Sequence, residues 1–398
     1  MSHYLDHAAT SPLDPAALEA WVAAQRELGA VPGNPAALHS GGRRARRMLD
    51  DARERVAHQL GADIHEVLFT SGATESDALG VMAAARGARA SDPARTRILV
   101  SSVEHDAIAN QRAVADREGF AWEELPVAPT GTTPIDEAAL AALAPSVAVA
   151  SMCLVCSETG AVQPVAALAR AMRAGGARTH TDAAQAVPVV EVRFDELGVD
   201  LMSVAGHKTG APVGVGCLVA RRGIPALTDR PGGGHERGLR SGTPDVAGAL
   251  ALAAALEATA ARRQAFASRA AALRQRLLAA LPPGCATTVA PADAVPSIIH
   301  LSIPTSRPEA VLMAMDMAGV VVSAGSACHA GVARPSRVVM AMGRDEASAL
   351  GVLRVSLGAD TTEDDIDALI AALPAAVRAG QALEGAPRAR NTRNQEAH

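Results

Sequence analysis

The stretch Ser203-Val204-Ala205-Gly206-His207-Lys208-Thr209-Gly210 places a lysine in a glycine-rich turn that follows a short apolar run. The run predicts a buried strand, so Lys208 would lie just beyond the carboxyl end of that strand. Ligands of open α/β sheets bind at this edge. A desolvated lysine near other cations can have a lowered pKa and form a Schiff base, so the stretch indicates a reactive amine.

Short runs that are rich in apolar or β-branched residues alternate with alanine-rich helical stretches on both sides of this turn. Strands are predicted over 66–70, 98–102, 147–155, 178–181, 201–204 and 216–220, with helices between them, for example over 106–118 and 164–174. This alternation predicts an α/β fold in which helices cover both faces of a mostly parallel sheet.

The carboxyl-terminal part of the chain predicts a second, smaller α+β domain. A long helix is expected over 245–281, followed by strands over 297–303, 320–323 and 352–356. Asp14-Pro15 predicts the start of the first helix, and Thr362-Glu363-Asp364-Asp365 predicts a capping box for the last one. We expect a large domain over 15–258, a small domain over 1–14 and 259–385, and a disordered polar tail over 386–398.

Composition limits the partners and the compartment. The 398 residues carry a formal net charge of −5 without a basic patch, so a nucleic-acid partner is not expected. The sequence has no uncharged apolar run long enough for a membrane span and no signal-peptide pattern, which predicts a cytoplasmic protein. Cys153 and Cys156 lie in an apolar run, so core cysteines are favoured over a metal or redox site.

Two further segments carry groups that could complete a site around Lys208. Thr70-Ser71-Gly72-Ala73-Thr74 is a small-residue turn before a predicted helix, where free N–H groups can bind a phosphate. Asp182 follows a strand and needs a cationic partner, which a protonated pyridine nitrogen would supply. Taken singly, both segments are also explained by ordinary helix caps. Together with the amine they are typical of a pyridoxal-phosphate (PLP) site.

Cys328 lies in the small-residue segment Ser323-Ala324-Gly325-Ser326-Ala327-Cys328-His329-Ala330-Gly331. A cysteine in such a segment is expected to be exposed and mobile, and an exposed thiol near hydrogen-bond donors can ionise and act as a nucleophile. The alternative is a tolerated surface cysteine. It is less favoured, because a free exposed thiol is a liability without a purpose.

At these residues the sequence resembles the cysteine desulfurases of the NifS/IscS type, within the class V aminotransferase group of PLP enzymes. The resemblance runs from Tyr4-Leu5-Asp6 to the helix after Arg354, nearly the whole chain. Besides the segments above, it is carried by Gly33-Asn34-Pro35, Glu104-His105, Glu158-Thr159-Gly160, Asp182-Ala183-Ala184-Gln185, Gly232-Gly233-Gly234-His235-Glu236-Arg237, Arg240-Ser241-Gly242-Thr243 and Arg354-Val355-Ser356-Leu357-Gly358.

The resemblance implies a fold, a cofactor and a reaction. The fold would be that of type I PLP-dependent transferases: a large domain with a mostly parallel seven-stranded sheet, and a smaller α+β domain that carries the mobile cysteine loop. The reaction would convert L-cysteine into L-alanine and leave a persulfide on Cys328, which a sulfur-acceptor protein collects. A homodimer is also implied, and no metal site.

The same resemblance implies roles for individual residues. Lys208 would attach the cofactor and move the substrate's Cα proton, His105 would stack on the ring and act as an acid or base, and Cys328 would accept the sulfur. The implied cofactor-binding residues are Ala73, Thr74, His105, Ser157, Asp182, Gln185, His207, Lys208 and, from a second subunit, Thr243; those for the substrate carboxylate are Asn34 and Arg354.

Two residues of the expected site depart from the family pattern. Ser157 stands in place of an asparagine that contacts the ring hydroxyl, and Ala205 in place of a phosphate-binding serine. Each lost hydrogen bond to a charged group is worth about 1.5–3 kcal/mol. Two alternatives stay open: another class V enzyme, such as a selenocysteine lyase or an aminotransferase, or a weakened relative that acts as a partner protein. Cys328 argues against an aminotransferase, which needs no thiol.

Overall fold

The computed structural model describes residues 2–324 and 334–385. Its strands are β1 (His3–Tyr4), β2 (Val67–Thr70), β3 (Arg97–Ser101), β4 (Ala121–Leu125), β5 (Val147–Ser151), β6 (Arg178–Asp182), β7 (Leu201–Ala205), β8 (Gly216–Ala220), β9 (Ala286–Thr287), β10 (Ile298–Ser302), β11 (Val320–Val321) and β12 (Val352–Ser356). One sheet has the order β2-β8-β7-β6-β5-β3-β4. It is parallel from β7 to β4, whereas β8 is antiparallel to both of its neighbours. The predicted mostly parallel seven-stranded sheet is confirmed.

The helices are α1 (Pro15–Ala30), α2 (Ser40–Leu60), α3 (Ala73–Ala78), α4 (Ala84–Ser91), α5 (Asp106–Ala109), α6 (Arg112–Arg117), α7 (Glu137–Leu143), α8 (Val165–Ala174), α9 (Phe194–Leu197), α10 (Val246–Ala279), α11 (Pro308–Met317), α12 (Arg337–Ala341), α13 (Glu346–Leu350) and α14 (Glu363–Ala382). A π-helical turn, Leu79–Ala83, joins α3 to α4. Within the described residues, no helix has both the length and the apolar character that a membrane crossing requires.

Alternate residues of the strands face two separate apolar cores. In β2, Val67 and Phe69 pack into the core that contains buried residues of α2 and α10, whereas Leu68 packs on the opposite face with residues of α4. Because both faces of the inner strands are buried, runs rich in apolar or β-branched residues predicted these strands. β4 was not predicted, because its sequence Ala121-Trp122-Glu123-Glu124-Leu125 belongs to a partly exposed edge strand with two charges.

A three-stranded antiparallel sheet, β12-β10-β9, forms in the carboxyl-terminal part, and β1 pairs with β11 in parallel. The predicted strands over 147–155 and 320–323 are shorter than expected, and the predicted helix over 106–118 is divided into α5 and α6. An isolated bridge joins Asp6 to Ser356 at the end of β12. This bridge brings the amino-terminal segment beside the strand that carries Arg354.

Asp14 connects the first helix to the long helix α10. Its Oδ1 accepts a hydrogen bond from the Ala16 N–H at 2.9 Å, which caps α1, and its Oδ2 accepts one from Arg262 Nη1 at 2.5 Å. We expect Asp14→Ala to lower the free energy of unfolding by about 1–3 kcal/mol, because it removes the cap and the ion pair between the buried Asp14 carboxylate and the partly exposed Arg262. Asp14→Asn, which keeps an oxygen for the cap, should lose less. Chemical denaturation measures both, and an unchanged midpoint for Asp14→Ala would contradict this interpretation.

Candidate active site

A cavity of about 600 Å³ opens at the carboxyl ends of the central parallel strands. Nine of the residues predicted for the site line it: Ala73, Thr74, His105, Ser157, Asp182, Gln185, His207, Lys208 and Arg354. They come from six separate segments of the chain, so only the folded sheet brings them together. The cavity lies at the edge where open α/β sheets bind ligands.

Lys208 follows β7 by three residues, and its amine borders the cavity. Burial lowers the pKa of this amine; Arg354 lowers it further, whereas Asp182 and Asp77 oppose the shift. A lowered pKa increases the fraction of neutral, nucleophilic amine near neutral pH. Lys208 is also the only lysine in the whole sequence. The sequence alone shows this feature, and the sequence analysis did not use it.

Asp182 is the last residue of β6, and β6 pairs in parallel with β7. Its Oδ1 accepts a hydrogen bond from the Ala184 N–H at 2.8 Å, and the side chain is largely buried. The predicted convergence is present, because Asp182 borders the same cavity as Lys208 and acts on its charge. Gln185, one turn further, donates from Nε2 to the Ala8 carbonyl at 2.8 Å, which ties the amino-terminal segment to this wall.

The turn before α3 forms a cradle of backbone N–H groups. Gly72 has a φ of 151°, which favours glycine, and the helix begins at the next residue. Glu75 Oε2 accepts from the Ser71 N–H at 2.5 Å, and Arg240 lies 3.6 Å from the same carboxylate. His207 lines the same cavity, and burial and Lys208 lower the pKa of its imidazole. Free N–H groups, the Thr74 hydroxyl and a nearby imidazole suit a phosphate.

His105 is the residue that caps α5. Its Nδ1 accepts a hydrogen bond from the Ala107 N–H at 3.1 Å, so the neutral ring carries its proton on Nε2. Burial lowers the pKa of His105, and Lys208 contributes in the same direction. The imidazole is therefore neutral at neutral pH, with one N–H and an aromatic face.

Arg354 is held by two acceptors on one side of the cavity. Nη2 donates to Asp6 Oδ1 at 2.9 Å, and Nη1 donates to the Ser157 carbonyl at 3.0 Å. Its Nε is buried and has no hydrogen-bond partner. A buried guanidinium N–H without a partner is a position for an anionic ligand oxygen, and a carboxylate matches that geometry.

Two predicted site residues, Asn34 and Thr243, do not line this cavity. Asn34 is exposed, and its Oδ1 accepts from the Ala36 N–H at 2.9 Å. Thr243 is exposed as well. Cys328 lies outside the described residues. The roles expected for these three residues stay predictions.

Several charged cavity residues were not assigned a role from the sequence: Asp77, Glu104, Glu158 and Arg337. Arg337, at the start of α12, donates from Nη1 to the Ser102 carbonyl at 2.8 Å and from Nη2 to the Glu104 carbonyl, which anchors the segment before His105. Burial raises the pKa of Glu158, although Ser336 donates to it at 2.5 Å. No local pattern marks Arg337, because its function depends on a contact across 235 residues.

The residues present fit pyridoxal phosphate. The cavity combines an amine, a carboxylate, a backbone cradle and an imidazole, and it also holds buried carboxyl oxygens of Asp77 and Glu104 that have no partner. Ser157, which replaces the asparagine of the family pattern, accepts a hydrogen bond from Arg354 through its backbone carbonyl. Its backbone therefore still contributes to the site. Ala205 is fully buried at the end of β7 and supplies no hydroxyl.

Comparisons with known proteins agree with this geometry. A family model described as aminotransferase class-V matches residues 3–369. The chain is 41% identical over 397 residues to an IscS-like cysteine desulfurase of Mycobacterium tuberculosis, covering 97% of this chain and 100% of that protein. Its structure is similar to a NifS-like protein, with a TM-score of 0.85, 29% identity and coverage of 95% and 100% of the two chains. It is also similar to SspA in complex with cysteine, with a TM-score of 0.75, 26% identity and coverage of 90% and 99%. The chain belongs to the class-V aminotransferase family.

Proposed function

We propose that this protein is a PLP-dependent cysteine desulfurase that converts L-cysteine into L-alanine. The proposal rests on the convergence of Lys208, Asp182 and Arg354 on one cavity. An amine for the cofactor, a carboxylate for its ring and a guanidinium for a substrate carboxylate are the groups that amino-acid chemistry on PLP needs. The comparisons support the same activity, because relatives are named cysteine desulfurases and a similar structure holds cysteine.

The residues that would hold PLP surround the cavity. Lys208 would attach it, Asp182 would pair with its ring nitrogen, and the remaining contacts would come from Ala73, Thr74, His105, Ser157, Gln185, His207 and, in a homodimer, Thr243 of a second copy. When bound, PLP withdraws electrons from the amino acid and weakens the bonds at its α- and β-carbons.

The protein side chains would then orient the substrate and move its protons. Arg354 would bind the carboxylate through its unpartnered Nε–H, which fixes the amino acid in the cavity. Lys208, with its lowered pKa, would accept the α-proton as a neutral amine and later return a proton. His105 carries an Nε2 proton that it could donate to the carbon fragment.

Cys328 would accept the sulfur, a role that rests on the sequence and the family. Its thiolate would form an S–S bond with the substrate sulfur while the substrate Cβ–S bond breaks. The electron pair of the broken bond stays with the carbon fragment, which takes up a proton and leaves as alanine. No external oxidant is required, and the persulfide would pass to an acceptor protein.

Turnover of L-cysteine by the purified, PLP-loaded protein tests the proposal. We expect alanine and, with excess dithiol, sulfide in equal amounts. Cys328→Ser should abolish both products and keep the visible absorbance of the bound cofactor, because the thiol is the sulfur acceptor and not a cofactor contact. Cys285→Ser, a change at a partly buried cysteine outside the cavity, is the matched control and should turn over normally. A protein that binds PLP and forms no alanine from cysteine would refute the desulfurase. Release of alanine from selenocysteine alone would favour the selenocysteine lyase.

A further inference from the structure

A continuous chain of hydrogen bonds connects buried side chains of β5, β6 and β7. Ser151 Oγ donates to Glu104 Oε1 at 3.0 Å. The ring of His180 lies between two hydroxyls, with Nδ1 2.9 Å from Ser151 Oγ and Nε2 2.9 Å from Ser203 Oγ. Each of these side chains is 1% exposed or less. His180 lies two residues before Asp182 in β6, so both side chains are on the same face of the sheet.

A second acid lies at the other end of this chain. Asp77, the penultimate residue of α3, is fully buried, and its Oδ1 is 3.7 Å from His180 Nε2. Neither of its carboxyl oxygens has a hydrogen-bond partner, although Ser203 lies close enough to act on its charge. Glu104 Oε2 is also buried without a partner. Each end of the chain is therefore a carboxyl group with an unsatisfied oxygen, and both ends border the cavity.

The position of His180 is tightly restricted. A Cβ on Gly80, in the π-helical turn, would lie 2.4 Å from His180 Cδ2, so only glycine leaves room for the ring. Burial lowers the pKa of His180 to about 3, which keeps the ring neutral between the two acids. A neutral imidazole has one N–H and one acceptor nitrogen, and which nitrogen carries the proton depends on its neighbours.

The hydrogen bonds of the chain can run in two directions. With Glu104 as the ionised end, Ser151 donates to it and accepts from His180 Nδ1–H. Ser203 then donates to Nε2, which leaves its oxygen free to accept a hydrogen bond from the protonated carboxyl group of Asp77. With Asp77 as the ionised end, every bond reverses and His180 carries its proton on Nε2. Both arrangements satisfy the same groups, and they differ only in where protons reside.

We propose that Asp77, Ser203, His180, Ser151 and Glu104 form a proton relay, which shares protons between its two acids so that no more than one of them is ionised at neutral pH. Its role rests on the proposed function. Asp182 would face the cofactor ring. The relay would let negative charge move along the cavity lining from Asp77 to Glu104, which precedes His105 in the sequence. Only protons move, along O–H and N–H bonds, so no other reactant is required.

The surrounding charges are consistent with shared protons. Burial raises the pKa of Asp77 well above its usual value and that of Glu104 to about 8, and Asp182 is the next cause in both cases. The titratable and charged groups that face the two acids are Asp182, Lys208, Arg337 and Cys153, together with the opposite acid. Asp182 raises the pKa of both acids, whereas Lys208 lowers the pKa of Asp77. Arg337 and the backbone N–H of Cys153 lower the pKa of Glu104.

The tautomer of His180 tests the relay directly. In Asp77→Asn the new amide can donate to Ser203, so we expect the His180 proton on Nδ1. In Glu104→Gln the amide can donate to Ser151, so we expect it on Nε2. Nitrogen-15 NMR of histidine-labelled, full-length protein separates the two tautomers, and a His300→Asn variant identifies the other buried, non-titrating ring. The same His180 tautomer in both variants would overturn the relay.

The pH dependence of unfolding is a second, independent readout. Glu104 keeps its proton in the folded state to about pH 8 but loses it near 4.5 when unfolded, so stability falls as pH rises between these values. Glu104→Gln should remove this contribution. Asp77→Asn should lower the pH at which folded Glu104 loses its proton by about one pH unit or more. The reason is that the new amide orients the hydrogen bonds so that Ser151 donates to Glu104, which stabilises the ionised carboxylate.

Three controls keep the outcome decisive. Glu124→Gln, an exposed change on β4, should leave the profile unchanged. Ser151→Ala interrupts the series of hydrogen bonds between the two acids. In that background, Asp77→Asn should no longer shift the titration of Glu104. If Asp77→Asn leaves the titration of Glu104 unchanged while Ser151 is present, the relay is refuted. Neither readout uses cysteine turnover, so failure of the relay and failure of the desulfurase remain distinguishable.

Discussion

Lys208→Ala should yield a folded protein that does not retain PLP and forms no detectable alanine from cysteine. The change removes the only lysine of the chain, and with it both the attachment point of the cofactor and the proton-transfer group. Loss of one positioned proton-transfer group alone lowers a rate by about 10²–10⁴-fold. Visible absorbance after gel filtration and an alanine assay measure the two consequences separately.

Lys208→Arg is the matched control for charge. An arginine keeps a cation in the cavity but is not deprotonated in proteins, so it cannot form the Schiff base or accept a proton. We expect it to be as inactive as Lys208→Ala. Substantial alanine formation by either variant would show that Lys208 is not the essential amine. Circular dichroism distinguishes the expected loss of activity from misfolding.

Arg354→Lys should weaken substrate and product binding more than any other single change on the substrate side of the cavity. The guanidinium of Arg354 donates to Asp6 and to the Ser157 carbonyl and keeps an Nε–H without a partner. The single ammonium group of a lysine cannot reproduce this arrangement of donors. Loss of the hydrogen bond to the substrate carboxylate, at about 1.5–3 kcal/mol, corresponds to a fall in kcat/KM of about 10–10²-fold. We expect most of this change in KM.

The carboxylate itself can be tested with two small amines. Alanine and ethylamine differ by the carboxylate, and their binding to the PLP-loaded protein is measurable from the absorbance of the cofactor. Arg354→Lys should weaken the binding of alanine strongly and the binding of ethylamine little. Equal losses for both ligands would place Arg354 outside the carboxylate site and make its bond to Asp6 its main role.

The part of the site that follows from short-range patterns could be predicted from the sequence. Asp182 ends a run with two β-branched threonines and Lys208 follows an apolar run, and strand ends are local features. Their meeting at one cavity follows from the parallel pairing of the two strands, which the alternation of elements indicated. The cap at Asp14 and the capping box at Thr362 were predicted for the same reason, since caps are encoded within a few residues.

Long-range contacts could not be predicted in this way. Ser151 and His180 lie in strand sequences as ordinary buried residues, and they gain a function only because their strands are neighbours. Arg337 and Asp6 reach the site across more than 200 residues of sequence. Asn34 shows the converse, because its motif matches the family while its side chain lies away from the cavity of a single chain.

Borohydride reduction of the PLP-loaded protein, followed by peptide mass mapping, tests the central claim most directly. Reduction makes the bond between PLP and an amine permanent, and apart from the chain terminus this sequence offers one amine. The account predicts one pyridoxyl-phosphate group per chain on the peptide that contains Lys208. An unlabelled Lys208 peptide, or a label only at the amino terminus, would contradict it.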